Sequence, residues 1–179
     1  MPLSAVDIIA IEQLYAAYNF AVDQGDGKGF AECLTPDGVF DMGTTRLEGS
    51  DALTEFAKGV PSTLPGARHI ATNVLIEGDR DLATGRAYLM LVATGTSPIS
   101  IIMTGQYEDH LVRFSDGGRF AERHFTADTP IERIQRPTTP ENRQPDKNRP
   151  RPPVPVDPGR ARPPIGPVSS VVGYMAPRN

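Results

Sequence analysis

A single cysteine, three histidines and the lack of any long apolar run are the scarcities that first constrain this chain. Cys33 cannot close an internal disulfide, and it lies in a short apolar helical pattern where a buried, inert thiol is the expected state. Without a run long enough to span a bilayer, or a basic N-terminal region ahead of one, neither a membrane span nor a signal peptide is indicated, so a cytoplasmic protein is expected. The histidines have no short ligand spacing, which argues against a zinc or iron site. Gly25, Gly27 and Gly29 follow no strand and precede no lysine-serine pair, so they do not make a phosphate loop. Neither a metal nor an organic cofactor is expected.

Positive charge is also scarce over most of the chain. Residues 1–130 carry 9 Lys+Arg against 18 Asp+Glu, whereas residues 131–179 carry 9 against 4. Phosphate recognition needs clustered cations, so an acidic body argues against nucleic acid or an anionic membrane as its main partner. The whole chain of 179 residues has the length of one domain, and a body of roughly 130 is enough for one hydrophobic core.

What is present begins with helical periodicity. Ile8, Ile11, Tyr15, Tyr18 and Val22 recur at steps of three and four, the stripe of an amphipathic helix. Ser4 can cap it, with Asp7 completing a near-match to the capping box, and Gly25 and Gly27 should stop it just after Asp23. A short second helix is expected over 29–34, then a turn at Thr35-Pro36-Asp37-Gly38 and a brief strand at 39–42 paired with 45–47. Gly49 or Ser50 can cap a third helix over 51–58.

The period then changes. Residues 68–77, 83–93, 99–113 and 119–126 are rich in β-branched and aromatic residues and are separated by turn residues such as Gly78-Asp79 and Gly117-Gly118. They read as four long strands joined as antiparallel hairpins. Three helices followed by such a sheet make an α+β layer that encloses a pocket. From 130 onward the periodicity is lost, and 12 of 18 prolines fall between Pro137 and Pro177. The chain therefore divides into a domain at 1–130 and a Pro/Arg-rich tail at 131–179, either disordered or an arm anchored on a neighbouring subunit by Ile165, Val168, Val171, Val172 and Tyr174.

His69 is the leading candidate for chemistry. At the head of a strand it shares a face with Ala71, Asn73 and Leu75, and a neutral imidazole can take a proton near neutral pH. A carboxylate that accepts the other ring N–H would fix its tautomer, and Asp23 at the end of the first helix is the candidate. A solvated acid is the plain alternative, but a helix C-terminus is electrostatically poor for an anion, which favours a specific role. His110 and His124 are expected at the surface.

The segments Ile11-Glu12-Gln13-Leu14-Tyr15, Tyr18-Asn19-Phe20-Ala21-Val22-Asp23 and Arg68-His69-Ile70-Ala71-Thr72-Asn73 carry a resemblance, together with Gly105-Gln106-Tyr107-Glu108-Asp109 and Gly118-Arg119-Phe120-Ala121-Glu122-Arg123. Over about 8–128 the chain resembles the SnoaL-like members of the nuclear transport factor 2 (NTF2-like) superfamily, nearest the scytalone dehydratase and bile acid 7α-dehydratase type. The resemblance implies a cone-shaped α+β fold with three N-terminal helices packed in a curved antiparallel sheet. It also implies an Asp23–His69 catalytic dyad and places Tyr18 at the active-site tyrosine of the bile acid group. In hexachlorocyclohexane dehydrochlorinase that position is a lysine, so Tyr18 speaks against dehydrohalogenation. Residues five apart on an ideal helix stand about 140° from each other, and Tyr18 also fits the core stripe, so a buried structural tyrosine stays open.

Three functions compete. A cofactor-free lyase or isomerase would use His69 as base, Asp23 to orient it and Tyr18 as donor, in a pocket walled by Phe40, Met90, Met103 and Tyr107 that takes a small, mainly apolar ring compound. A non-catalytic ligand-binding or scaffold protein would keep the fold without the reaction. An epoxide hydrolase would need an Asp-Arg-Asp arrangement, with Arg86 or Arg113 as the arginine, and polyketide ring closure is a further variant. A homo-oligomer, trimer or dimer, is expected because the outer sheet face carries apolar positions that one helix layer cannot cover.

Overall fold

A computed structural model describes residues 1–95, 97–114 and 117–129; the proline-rich segment expected as a tail or arm lies outside them. Helix α1 (Ala5–Gln24) opens with a complete capping box. The Ser4 hydroxyl accepts the Asp7 N–H at 3.2 Å, and the Asp7 carboxylate accepts the Ser4 N–H at 2.9 Å. Ile11, Tyr15, Tyr18 and Val22 turn to the core as their spacing requires, while Ile8 is left partly exposed. Gly25 at φ 70° ends the helix in the left-handed conformation.

Helix α2 (Gly27–Glu32) starts two residues earlier than its apolar pattern suggests, because the Asp26 carboxylate caps it by accepting the Gly29 N–H at 2.9 Å. Strand β1 (Leu34–Asp41) then pairs antiparallel with β2 (Arg46–Glu48). The sequence signal at 35–38 is real but appears as an irregularity inside β1, where the register against the last strand shifts between Leu34 and Val39.

Helix α3 (Gly49–Thr63) is longer than 51–58 at both ends. Its N-cap is Glu48, with no side-chain cap bond, and Ser50 instead lies in the first turn with its hydroxyl 3.5 Å from the Pro36 carbonyl. Pro61 forfeits its own helical bond without ending the helix, and its ring packs against the Gly25 turn. A Cβ on Gly25 would stand 3.0 Å from Pro61 Cγ and would need φ +70°. Gly25→Ala is therefore expected to cost about 1–2 kcal/mol, read from the urea midpoint; an unchanged midpoint would show that the turn between α1 and α2 is not pinned this way.

Four long strands follow: β3 (Ala67–Asp79), β4 (Leu82–Ala93), β5 (Ser100–Phe114) and β6 (Gly117–Ala127). They pair as consecutive antiparallel hairpins, and β6 joins β1 in parallel, giving a six-stranded sheet in the order β2-β1-β6-β5-β4-β3. The architecture is the expected α+β one, with three helices against the concave face of a curved sheet. On β4 the inward positions are Ala83, Gly85, Ala87, Leu89 and Leu91, mostly small, because α1 lies close: a Cβ on Gly85 would stand 2.3 Å from the Tyr15 hydroxyl. Bulk is displaced to the outer face, where Tyr88, Ile70 and Ile101 stand exposed, as the expectation of association assumed.

Candidate functional site

Between the helices and the sheet lies a cavity of about 410 Å³. Tyr18 from α1, Phe40 from β1, Phe56 from α3, Met103 and Tyr107 from β5 and Phe125 from β6 supply most of its apolar wall. The rings brace one another edge to face, with Tyr18 centred 6.2 Å from both Phe40 and Tyr107 and 5.8 Å from Phe120. Of the expected wall residues, Phe40, Met103 and Tyr107 are therefore in place. Met90 is not: it alternates with Leu89 and Leu91, which line the cavity, and so falls on the opposite face of β4.

His69 enters this wall from the start of β3. Its Nδ1 stands 2.7 Å from Asp23 Oδ1, with only 13% of the imidazole and 7% of the carboxylate exposed. The same carboxylate accepts the His69 backbone N–H, 3.2 Å from each oxygen, so one acid fixes both the strand end and the ring. With Nδ1 donating to Asp23, the neutral imidazole carries its lone pair on Nε2. The last turn of α1 puts Asp23 there, and the Gly25 cap turns the chain away immediately afterwards.

Tyr18 and Asp23 do not lie side by side, as their angle on the helix wheel requires. Tyr18 faces the cavity, whereas Asp23 lines a groove of about 530 Å³ between α1 and the β3 edge, shared with Asn19, Phe20 and Arg68. His69 borders both spaces and so connects the two residues. Tyr18 is 1% exposed, and burial above all raises its pKa well above the usual tyrosine value, with the Tyr107 hydroxyl adding to the rise. It is thus a neutral hydrogen-bond donor as well as a core residue. Glu55, the carboxylate in the wall, is largely solvated and paired with Lys58 at 2.8 Å.

The remaining candidates separate cleanly. His110 is exposed; His124 is partly exposed, with Nε2 3.1 Å from Glu122 Oε1. Cys33 is buried, its thiol donates to the Gly29 carbonyl at 3.2 Å, and burial pushes its pKa up to about 11, so it is no nucleophile. Among the described residues no group of three or more His, Cys, Asp or Glu is placed to hold a metal, and no helix is long and apolar enough to cross a membrane.

The sequence reading missed a buried ion pair. Arg123 and Asp109 have fully buried side chains and pair across the β5–β6 hairpin, with Nε 2.7 Å from Oδ1 and Nη2 2.9 Å from Oδ2. The Tyr15 hydroxyl also donates to Asp109. Burial works against the Arg123 charge, but the charge and hydrogen bonds of Asp109, with Tyr18 and Tyr107 adding, outweigh it, and the guanidinium pKa stands above the usual arginine value. The available signal was the parity of Tyr107, Asp109 and Leu111, which places a carboxylate on an otherwise apolar face. Arg86, proposed for epoxide chemistry, is exposed, and Arg113 is held at the surface by Asp7 at 2.7 Å. The buried arginine bridges one carboxylate, not two.

Comparison with known proteins agrees with this architecture. A protein of unknown function from Mycobacterium tuberculosis is 30% identical, with a TM-score of 0.65 over 72% of this chain and 76% of that one. A candidate aromatic ring hydroxylase from Novosphingobium aromaticivorans is 27% identical, with a TM-score of 0.62 over 72% and 93%. A candidate scytalone dehydratase from the same organism, 22% identical with a TM-score of 0.62 over 78% and 95%, shares the fold. No curated protein matches the chain significantly. The model of the SnoaL-like domain matches residues 4–124, which hold all three helices and nearly all of the cavity wall and of the sheet, and the chain belongs to that family.

Proposed function

We propose that the chain is a cofactor-independent lyase or isomerase of the dehydratase kind, acting on a small, mainly apolar ring compound by His69–Asp23 proton transfer. The observation that carries this reading is the 2.7 Å contact between His69 Nδ1 and Asp23 at the wall of an aromatic-lined cavity. Nε2 takes the proton from a carbon next to a carbonyl, and the C–H electron pair forms the new double bond. The C–O bond to the departing hydroxyl breaks, the imidazolium returns its proton to that oxygen, and water leaves. Asp23 stabilises the imidazolium, and Tyr18 donates a hydrogen bond to the oxygen on which charge develops. Atoms and protons balance without any external reagent.

The direct test uses the first half-reaction alone. 2-Tetralone is incubated with the protein in D2O after treatment with chelator, and deuterium at the α-carbon is followed by NMR. Exchange faster than in buffer is expected, and cyclic β-hydroxy ketones should then lose water to give the absorbing enone. If 2-tetralone occupies the cavity and no exchange occurs, the chain is a ligand-binding member of its family.

A further inference from the structure

The Arg123–Asp109 pair has no part in the proton transfer just described, yet it is built behind the same cavity. Four rings enclose the guanidinium, its carbon 3.8 Å from the Phe120 centroid, 4.2 Å from Tyr18, 4.2 Å from Tyr107 and 4.7 Å from Tyr15. Tyr18 and Tyr107 are also cavity wall. Arg123 Nη1 is buried with no hydrogen-bond partner. A buried ion pair gains little over well-packed apolar side chains, and an unsatisfied buried donor is costly, so stability alone is a poor reason for this arrangement.

We propose that Arg123 is a positioning residue: acting through Tyr18 and Tyr107, it makes one end of the cavity selective for a ring compound bearing a carbonyl or phenolic oxygen that carries or develops negative charge. This rests on the reading of the cavity as the reacting site. Burial raises the pKa of both tyrosines and keeps them neutral donors, while at each hydroxyl the downward pull of Arg123 is greater than the upward push of Asp109. The guanidinium stands 4.2 Å from each of the two ring centroids, while the carboxylate is taken up by Arg123 and the Tyr15 hydroxyl, so both cavity tyrosines lie against the cation in a buried setting where such fields are strong. Met103 is in register with Leu91, and Leu91 with His69, so Tyr107 stands four residues along β5 from the row of the base, roughly 13 Å of strand.

The test is binding, not turnover. Naphthalene, 2-naphthol and 2-naphthols made progressively more acidic by ring substitution are titrated into the full chain by fluorescence. The acidic naphthols are expected to bind roughly tenfold or more tighter than naphthalene, the effect of one hydrogen bond to a charged oxygen. The combined variant Tyr15→Phe, Asp109→Leu, Arg123→Met should keep naphthalene binding and lose that preference; a merely structural role would change both ligands alike. Tyr18→Phe with Tyr107→Phe, which leaves the ion pair in place, should lose it too. A native chain without the preference overturns the proposal. So does a preference kept by either variant, and the tyrosine variant decides if the triple one does not fold. A native chain that prefers acidic naphthols but exchanges no α-proton refutes the lyase reading alone.

Discussion

Replacing His69 with alanine is expected to remove α-proton exchange on 2-tetralone, by roughly 10²–10⁴-fold, with little change in the unfolding midpoint. The expectation follows from position: the imidazole stands at the cavity wall, and Asp23 holds its Nδ1, which leaves Nε2 as the nitrogen able to take a proton. Asp23→Asn should be nearly as damaging, because an amide that presents its NH2 to Nδ1 stabilises the wrong tautomer and cannot offset the imidazolium. Asp23 also accepts the His69 backbone N–H, so Asn is a better probe than Ala, which would release the strand end as well. Tyr18→Phe should slow the reaction less, since it removes one donor and leaves the base intact. Exchange at the native rate in His69→Ala would exclude His69 as the base.

Breaking the buried ion pair from one side is expected to destabilise the fold by about 3–5 kcal/mol, the largest effect on stability anticipated here. Arg123→Met leaves the Asp109 carboxylate, whose side chain is 0% exposed, with only Tyr15 as partner; Asp109→Leu strands a fully buried guanidinium. The partner left behind must be ionised without solvation or change its protonation, and either course disfavours the folded state. Removing Tyr15, Asp109 and Arg123 polarity together leaves no unpaired charge and should recover most of the loss, because apolar replacements of buried pairs are commonly neutral or stabilising. Urea unfolding of the single and combined variants reads this directly. Single substitutions costing under about 1 kcal/mol would show that water reaches the pair in solution.

Stability and selectivity thus separate in the same residues. The combined variant is expected to fold and hold an apolar ligand while losing discrimination by oxygen charge, a pattern not produced by general loosening of the core. The opposite is expected of the proposed dyad, since His69 sits at a cavity wall, where its loss should remove proton exchange and little packing.

Much of this molecule was legible in the chain itself, because the signals were local. The Ser4 cap, the α1 stripe and the Gly25 stop depend on neighbours within a few residues, and the four long strands on side-chain type and turn residues, so they could be placed without knowing what packs on them. His69 and Asp23 were identified by residue chemistry, their place at element ends and the family resemblance. What the sequence left open depends on contacts between distant segments. Met90 was assigned inward, whereas the packing of α1 on Gly85 sets the odd-numbered positions of β4 inward and so turns Met90 out. Asp109 and Arg123 meet only because the β5–β6 register brings them opposite each other, past a shift between His110 and Leu111 that alternation alone does not reveal. Local patterning determined the elements and, with the family resemblance, brought out Asp23 and His69 as candidates. Cross-strand register and the depth to which α1 sinks into the sheet decided which polar groups lie dry, and so which fields the cavity contains, because burial and pairing are properties of the assembled core.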